Sequence, residues 1–293
     1  MPDISIIIVT RQRNEIFRQT LAAAVNAIEN ISAEIIVVND FPEEKINYDD
    51  SRVIIADNPG RGVSSARNQG AEIAAAPLLL FIDNDILINA ENIRSTIAVH
   101  AAHPHILLNA NWEYPAAIKE KLARSSFGRV IRFWKLDSFR NRYSSFNGAW
   151  GTELFKAKWP FAGFFFSIMK ADFLAHGRFN TERIFGGEEE ELSGRLAGKI
   201  EYWIDPQNIV YHNEYDKLTG YRNWLERSLV NAAQRAANRK SGWKGAWLRR
   251  LGFLVPVNYF VLDHFPNHHW FDKGFARFLY FQALLLDNRP ETT

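Results

Sequence analysis

Four short apolar runs, at residues 4–9, 35–38, 53–55 and 78–82, alternate with segments of helical spacing. Behind Asn14, a good N-cap, Ile16, Phe17, Leu21, Ala24, Val25 and Ile28 recur at three- and four-residue spacing and predict a helix. A second helix is predicted over residues 64–75, and it delivers the chain to the fourth run. None of the runs shows period-two polarity, so both faces of each strand are buried. A parallel sheet covered by helices meets that demand. Right-handed crossovers then collect the strand ends Thr10, Asp40, Asn58 and Asp83 along one edge, the edge at which open α/β sheets bind ligands.

The fourth run leaves through Asp83-Asn84-Asp85. If the backbone stays extended there, Asp83 and Asp85 project to one side and Asn84 to the other. That is a pair of hard oxygen ligands for a divalent cation. A polar turn uses the same residue types, so both readings stay open at this point.

Further along, a helix is predicted over residues 90–102 and a strand over 106–110. Residues 112–160 have weak periodicity and read as a substrate-shaped region. Residues 161–169 are strand-like, and residues 202–204 and 209–212 read as two last strands. From residue 218 the pattern is helical.

A chain of 293 residues makes one large or two small domains. The absence of cysteine excludes disulfides and thiolate metal sites and fits a reducing compartment. The first residues lack the basic and apolar regions of a secretory signal. The apolar stretch 251–262 is broken by Pro256 and Asn258 and falls short of the roughly 20 residues a membrane span needs. A soluble or peripheral protein is expected. Charge is uneven: residues 217–293 hold 12 basic and 5 acidic groups, against 23 and 28 before them.

Three constellations carry chemistry. Glycines 60, 62 and 70 flank a predicted helix start containing Arg67 and Asn68, where backbone amides and the helix dipole attract an anion. The spacing is not that of a dinucleotide fingerprint or a P-loop. Arg67 and Asn68 are expected in the first turn of this helix, facing the edge that holds Asp83. Gly186-Gly187 precede Glu188, Glu189, Glu190 and Glu191. Four adjacent acids suit a solvated helix start, yet one or two of them can enter a cleft and deprotonate a hydroxyl. His212 closes an apolar run, and a neutral imidazole is a good divalent-metal ligand.

Together these residues resemble the family 2 glycosyltransferases, inverting enzymes of the GT-A fold. The matching pieces are Thr10-Arg11, Asn39-Asp40, Gly62 with Ala66-Arg67-Asn68-Gln69-Gly70, Phe81 to Asp85, Phe161-Ala162-Gly163, Gly186 to Leu192, Arg195-Leu196 and His212. The resemblance covers about residues 4–215. It implies an α/β, GT-A type, mostly parallel Rossmann-like sheet flanked by helices, with a C-terminal helical extension. It also implies a catalytic domain over 1–215, its nucleotide-sugar half at 1–110 and its acceptor half at 111–215, and a basic extension at 216–293.

The resemblance assigns roles as well. Thr10, Arg11, Asp40, Arg67, Asn68 and Asp83 would line the nucleotide pocket, with Asp40 on the base and Asp83 near the ribose. Asp85, Asp83 and His212 would hold Mg²⁺ or Mn²⁺ on the diphosphate. Glu189 would be the catalytic base with Glu188 as the other candidate, since the family commonly has Asp at this position. Gly163, Gly187 and Glu191 would border the donor and acceptor sugars. The implied partners are a nucleotide-sugar donor, with uridine as the base, and a saccharide or lipid-linked saccharide acceptor of the bacterial cell surface. No nucleic acid is expected. The implied location is cytoplasmic. Residues 217–281, with nine basic groups up to Arg250 and interleaved Trp224, Trp243 and Trp247, suit an anionic membrane face. A nucleotidyltransferase is the competing enzyme class, but it calls for a glycine-rich loop after the first strand, where this chain has Thr10-Arg11-Gln12-Arg13-Asn14. A non-catalytic sugar- or nucleotide-binding module would not need both a metal pair and a base.

Overall fold

The computed structural model describes residues 1–11, 14–124, 128, 131–132, 135, 137–182 and 187–213. The basic extension lies outside the described residues. Residues 1–114 and 143–214 form one compact unit, which contains every candidate site residue, and 115–142 belong to a second.

The elements run β1 (Ile4–Thr10), α1 (Glu15–Ala27), β2 (Ala33–Asn39), β3 (Val53–Asp57), α2 (Gly62–Ile73), β4 (Leu78–Asp83), β5 (Ile86–Leu87), α3 (Ala90–Ala102) and β6 (Ile106–Glu113). They continue with α4 (Ala116–Arg124), α5 (Phe139–Asn147), β7 (Phe155–Lys156), β8 (Phe165–Met169), α6 (Lys170–Ala175), α7 (Glu188–Leu196) and β9 (Glu201–His212). The strands form a nine-stranded sheet in the order β3-β2-β1-β4-β8-β6-β9-β5, with β7 also on β9. The α/β fold with helices against a central sheet is the one the sequence implies.

The first four strands are parallel, and their side chains explain why. Ile4, Ile6, Ile7, Ile8 and Ile35 to Val38 are all fully buried, so β1 and β2 need cover on both faces. β3, at the sheet edge, is not buried on both faces as its sequence predicts and leaves Ile54 exposed. Helix α2 packs on β1 and β2, and α3 on β6 and β9. Asn14 caps α1 by accepting the Phe17 N–H at 3.0 Å, an interaction typically worth about 1 kcal/mol.

Beyond β4 the sheet departs from a simple parallel order. β8 enters antiparallel between β4 and β6. It begins at Phe165, so residues 161–164 are a loop, not the start of a strand. Phe81 and Phe166 stack at 4.6 Å across the β4–β8 pair, and Phe173 and Phe179 close over Phe81. Each such aromatic pair contributes about 0.5–1.5 kcal/mol beyond the area it buries.

The two last predicted strands are one. β9 continues through Pro206 by means of a register shift against Ala110 and Asn111. Proline has no N–H to donate, and the neighbouring N–H groups of Gln207 and Asn208 turn to the Asp205 carboxylate at 3.0 and 3.2 Å. A bulge of this kind bends the strand without ending it. It carries His212 to the same sheet edge as Asp83, because β9 runs parallel to β6. Among the described residues no helix is long and apolar enough to cross a membrane.

Candidate active site

The C-terminal edge of β1, β2, β3 and β4 presents Thr10 and Asp83, the last residues of β1 and β4, and Asp40 and Asn58, the first residues past β2 and β3. Asp40 follows β2, and its carboxylate accepts from Asn58 at 2.6 Å and from the Gly62 N–H at 2.9 Å. It thereby satisfies the start of α2, whose N-cap Arg61 makes no side-chain capping bond. The anion attracted to this helix start is therefore Asp40 itself. Exposed Arg11 lies over the other carboxylate oxygen at 3.7 Å.

α2 begins at Gly62, so Arg67 and Asn68 sit in its second turn, not its first. The two point apart. Asn68 donates to the Phe179 carbonyl at 2.9 Å and accepts its N–H at 3.0 Å, fastening that segment to α2. The structure does not bring it to the carboxylates. Arg67 is the hub. Its side chain is 5% exposed, and its guanidinium lies 3.1 Å from Asp83, 3.5 Å from Glu189 and 3.6 Å from Glu188. It also donates to the Gly163 carbonyl at 3.2 Å, and the rings of Phe166 and Phe179 lie under it.

Burial alone would lower the Arg67 pKa, but Asp83, Glu189 and Glu188 outweigh it and hold it above its ordinary value. The guanidinium stays charged. One cation does not balance three carboxylates, and the surplus is felt by the acids. Glu188, which is almost wholly buried, is raised from 4.5 to about 6 by desolvation first and by Glu189 second, against Arg67. Its Oε2 is buried with no hydrogen-bond partner among the described residues. Asp83 is also raised, first by desolvation of its place at the sheet edge and then by Glu189, with Arg67 opposing. Its side chain is 42% exposed, so solvent damps the extent of that shift.

The glutamates reach Arg67 because Gly187 starts α7 with φ 77°, a left-handed conformation that glycine adopts without strain. Glu188 turns inward and Glu189 lies over the 161–165 loop, where a Cβ on Gly163 would meet its Oε1 at 2.1 Å. Glu191 is engaged elsewhere. Arg195 grips it at 2.7 and 2.8 Å and binds the carbonyls of His176 and Arg178 as well.

Past Asp83 the backbone turns instead of remaining extended. The aspartates therefore face different partners: Asp83 meets Arg67, while buried Asp85 lies 3.4 Å from His212 Nε2. Asn84 donates to Thr10 Oγ1 at 3.0 Å. His212 is walled by Trp112 and Tyr114, at ring distances of 5.3 and 5.7 Å. Sequence reasoning missed that aromatic wall, although Trp112 and Tyr114 stand at alternate positions across the end of β6.

A family model described as glycosyl transferase family 2 matches residues 5–171. Two curated proteins are similar to the chain, each named validoxylamine A glucosyltransferase. One is from Streptomyces hygroscopicus subsp. jinggangensis (strain 5008), the other from Streptomyces hygroscopicus subsp. limoneus. Each is 31% identical over 112 residues, which cover 34% of this chain and 26% and 24% of theirs. The matched stretch thus spans about a quarter of the length of either relative.

Proposed function

The chain belongs to glycosyl transferase family 2, and from that premise we propose that it transfers a sugar from a nucleoside-diphosphate donor to a hydroxyl acceptor with inversion. The observation that carries this reading is the meeting of Asp83, Glu188 and Glu189 around one buried Arg67 at the ligand-binding edge of the sheet.

In this reading Glu189 is the base. Its side chain is 22% exposed, against 9% for Glu188, so an acceptor hydroxyl can reach it. The hydroxyl proton passes to the Glu189 carboxylate. The oxygen forms the new bond to the anomeric carbon, and the bond to the nucleoside diphosphate breaks on the opposite face. Glu188 stays beneath, where burial and the neighbouring Glu189 charge raise its own pKa to about 6. Thr10, Arg11, Asp40 and Arg67 border the nucleotide, and Gly163 and Gly187 form the floor by the sugar. Asp83 sits where the two halves meet.

A divalent cation fits the donor set. Asp85 and His212 lie 3.4 Å apart beside Asp83, and the surplus of carboxylate over guanidinium is what a cation offsets. Among the described residues no group of three His, Asp or Glu, Asp83 with Asp85 and His212 included, is placed to hold a metal ion by itself. Mg²⁺ needs only one or two such ligands when phosphate oxygens and water complete its shell. When bound, the ion would neutralise charge developing on the leaving diphosphate. A glucosyl donor is the first to test, in view of the names of the relatives. A cell-surface, lipid-linked acceptor and a membrane role for residues 217–281 belong to the same proposal and rest on the basic, aromatic composition of that stretch.

The test is a panel of nucleoside-diphosphate sugars assayed for Mg²⁺- or Mn²⁺-dependent transfer or hydrolysis. Turnover of one donor, lost in Glu189→Gln, supports the reading. Binding of a donor without turnover favours a non-catalytic module and overturns it.

A further inference from the structure

The acids and Arg67 converge on a loop with no charged side chain. This segment, residues 161–164 with Phe165 of β8, meets α7, Arg67 and the end of β4 through its backbone. The Phe161 N–H donates to Ser193 of α7 at 3.3 Å, the Gly163 carbonyl accepts from Arg67 at 3.2 Å, and the Phe164 carbonyl accepts the Asp83 N–H at 3.0 Å. Glu189 lies on Gly163 so closely that no side chain fits between them. The position of this loop therefore sets the spacing between Asp83, Arg67 and α7.

On the β6 side the loop is held by a single buried amide. Asn109 of β6 stands opposite Phe166, at the last rung of the β6–β8 ladder, and is fully buried. Beyond this rung strand pairing stops, and the Asn109 side chain takes over. Its Nδ2 donates to the Ala162 carbonyl at 2.8 Å and to the Phe165 carbonyl, and its Oδ1 accepts the Ala162 N–H at 3.0 Å. The Tyr202 hydroxyl donates to the same Oδ1 at 2.9 Å. An amide has the donors and acceptor of a peptide group, so Asn109 extends the ladder by side chain where the β6–β8 pairing ends. A carboxylate cannot donate, and a hydroxyl cannot make all of these bonds at once.

We propose that Asn109 is a positioning residue for transfer: it holds the 161–165 loop as the template against which Arg67, Asp83 and Glu189 are set. The inference rests on Glu189 serving as the base. Asn109 touches no substrate and acts through Gly163. Misplacing a reacting group by about 1 Å can cost on the order of 10²-fold in rate, whereas the donor contacts proposed for Thr10, Arg11 and Asp40 do not run through this loop.

The experiment compares Asn109→Asp and Asn109→Ser with Tyr202→Phe, which removes one hydrogen bond to Asn109 but leaves its bonds to the loop. The Asn109 variants are expected to lose about 10²-fold in kcat, with donor KM raised by a much smaller factor through Arg67 alone. Tyr202→Phe is expected to stay within about twofold of wild-type kcat even where its Tm falls. Wild-type kcat in both Asn109 variants overturns the inference, as does an equal kcat loss in Tyr202→Phe. Crystal structures of the Asn109 variants give a readout that needs no donor. The Gly163 carbonyl should leave hydrogen-bond distance of Arg67, and an unmoved loop overturns the proposal. Wild-type protein inert toward every donor counts against the proposed reaction, and the crystal structures then decide the Asn109 inference alone. Should Asn109→Asp not fold, Asn109→Ser, which leaves no buried charge, carries the test.

Discussion

Gly163 and Glu189 share one space: a Cβ on Gly163 would lie 2.1 Å from Glu189 Oε1 and 3.0 Å from Arg67 Nη2. Both atoms are the far ends of flexible side chains, so they can yield without unfolding the sheet. Gly163→Ala is therefore expected to keep a near-wild-type Tm while lowering kcat by on the order of 10²-fold, because the carboxylate it displaces is the proposed base. Paired Tm and kcat measurements check this. Unchanged turnover would place the reacting centre away from Glu189.

Glu189→Gln keeps the shape of that side chain and removes its basicity. The expected outcome is a loss of about 10²–10⁴-fold in kcat with donor affinity retained. Glu188→Gln should be milder, since Glu188 lies beneath Glu189 and largely out of reach. The reverse ranking in the same assay would exchange their roles. The wild-type rate should rise with pH through about 6, where Glu188 ionises beside the proposed base, and Glu188→Gln should lack that step.

Much of the parallel half was legible in the sequence, because its signals are local. Residues 4–9 and 35–38 are apolar on both faces, and Asn14 caps the helix behind the first strand. The edge that gathers Thr10, Asp40 and Asp83 follows from crossover handedness alone. Less could be read where a residue answers to a distant partner. Nothing near Arg67 in sequence shows that it is buried among three acids, two of which lie on a helix more than 100 residues away. Glu191 looked like its neighbours until Arg195 claimed it. Residues 202–204 and 209–212 read as two strands because what joins them, the Asp205 carboxylate that satisfies the bulge past Pro206, is a side-chain contact. The turn at Asn84 and Asp85 likewise separates two aspartates that spacing alone would align.

Asp85 and His212 are the proposed cation ligands, and their loss should change metal response before it changes fold. In wild-type protein, Mn²⁺ with a nucleoside diphosphate is expected to raise Tm more than either alone, since a ligand binding only the native state stabilises it. Asp85→Ala and His212→Ala should lose that joint gain, and chelation should abolish turnover in wild type. A joint Tm gain that survives both substitutions would place the cation elsewhere.

Glu188 makes stability depend on pH in a definite direction. Its pKa is about 6 in the folded protein against an ordinary 4.5. Below about 4.5 both folded and unfolded chains hold the proton; between 4.5 and 6 only the folded chain does. Stability therefore falls as pH rises through that window, by up to roughly 2 kcal/mol for a shift of this size. Glu188→Gln removes the penalty, which is already net of the Glu188 contact with Arg67 at 3.6 Å. The variant should gain Tm over wild type at pH 8 and lose that advantage at pH 4.5. A Tm difference that is the same at both pH values would refute the buried-charge account.

His100 pulls the other way over nearly the same range. It is buried on α3, and its Nε2 pairs with Ser167 of β8 at 2.8 Å. Its Nδ1 is buried with no hydrogen-bond partner among the described residues, so an added proton would be left unsatisfied. Desolvation lowers its pKa from 6.5 to about 4, with the Ser167 contact opposing. Above pH 6.5 both states are neutral. As pH falls from 6.5 toward 4 the unfolded chain takes up a proton that the folded chain refuses, and stability is lost, by up to roughly 3 kcal/mol. In wild type this slope offsets that of Glu188, so a flat Tm profile near pH 5 says little by itself. Substitution separates them. His100→Gln is expected to lower Tm at pH 8 through poorer packing, yet to lose less on acidification than wild type does. Combined with Glu188→Gln it should give a profile flatter than either single variant between pH 4.5 and 6.5. If His100→Gln falls as steeply as wild type on acidification, the imidazole is not the group that charges.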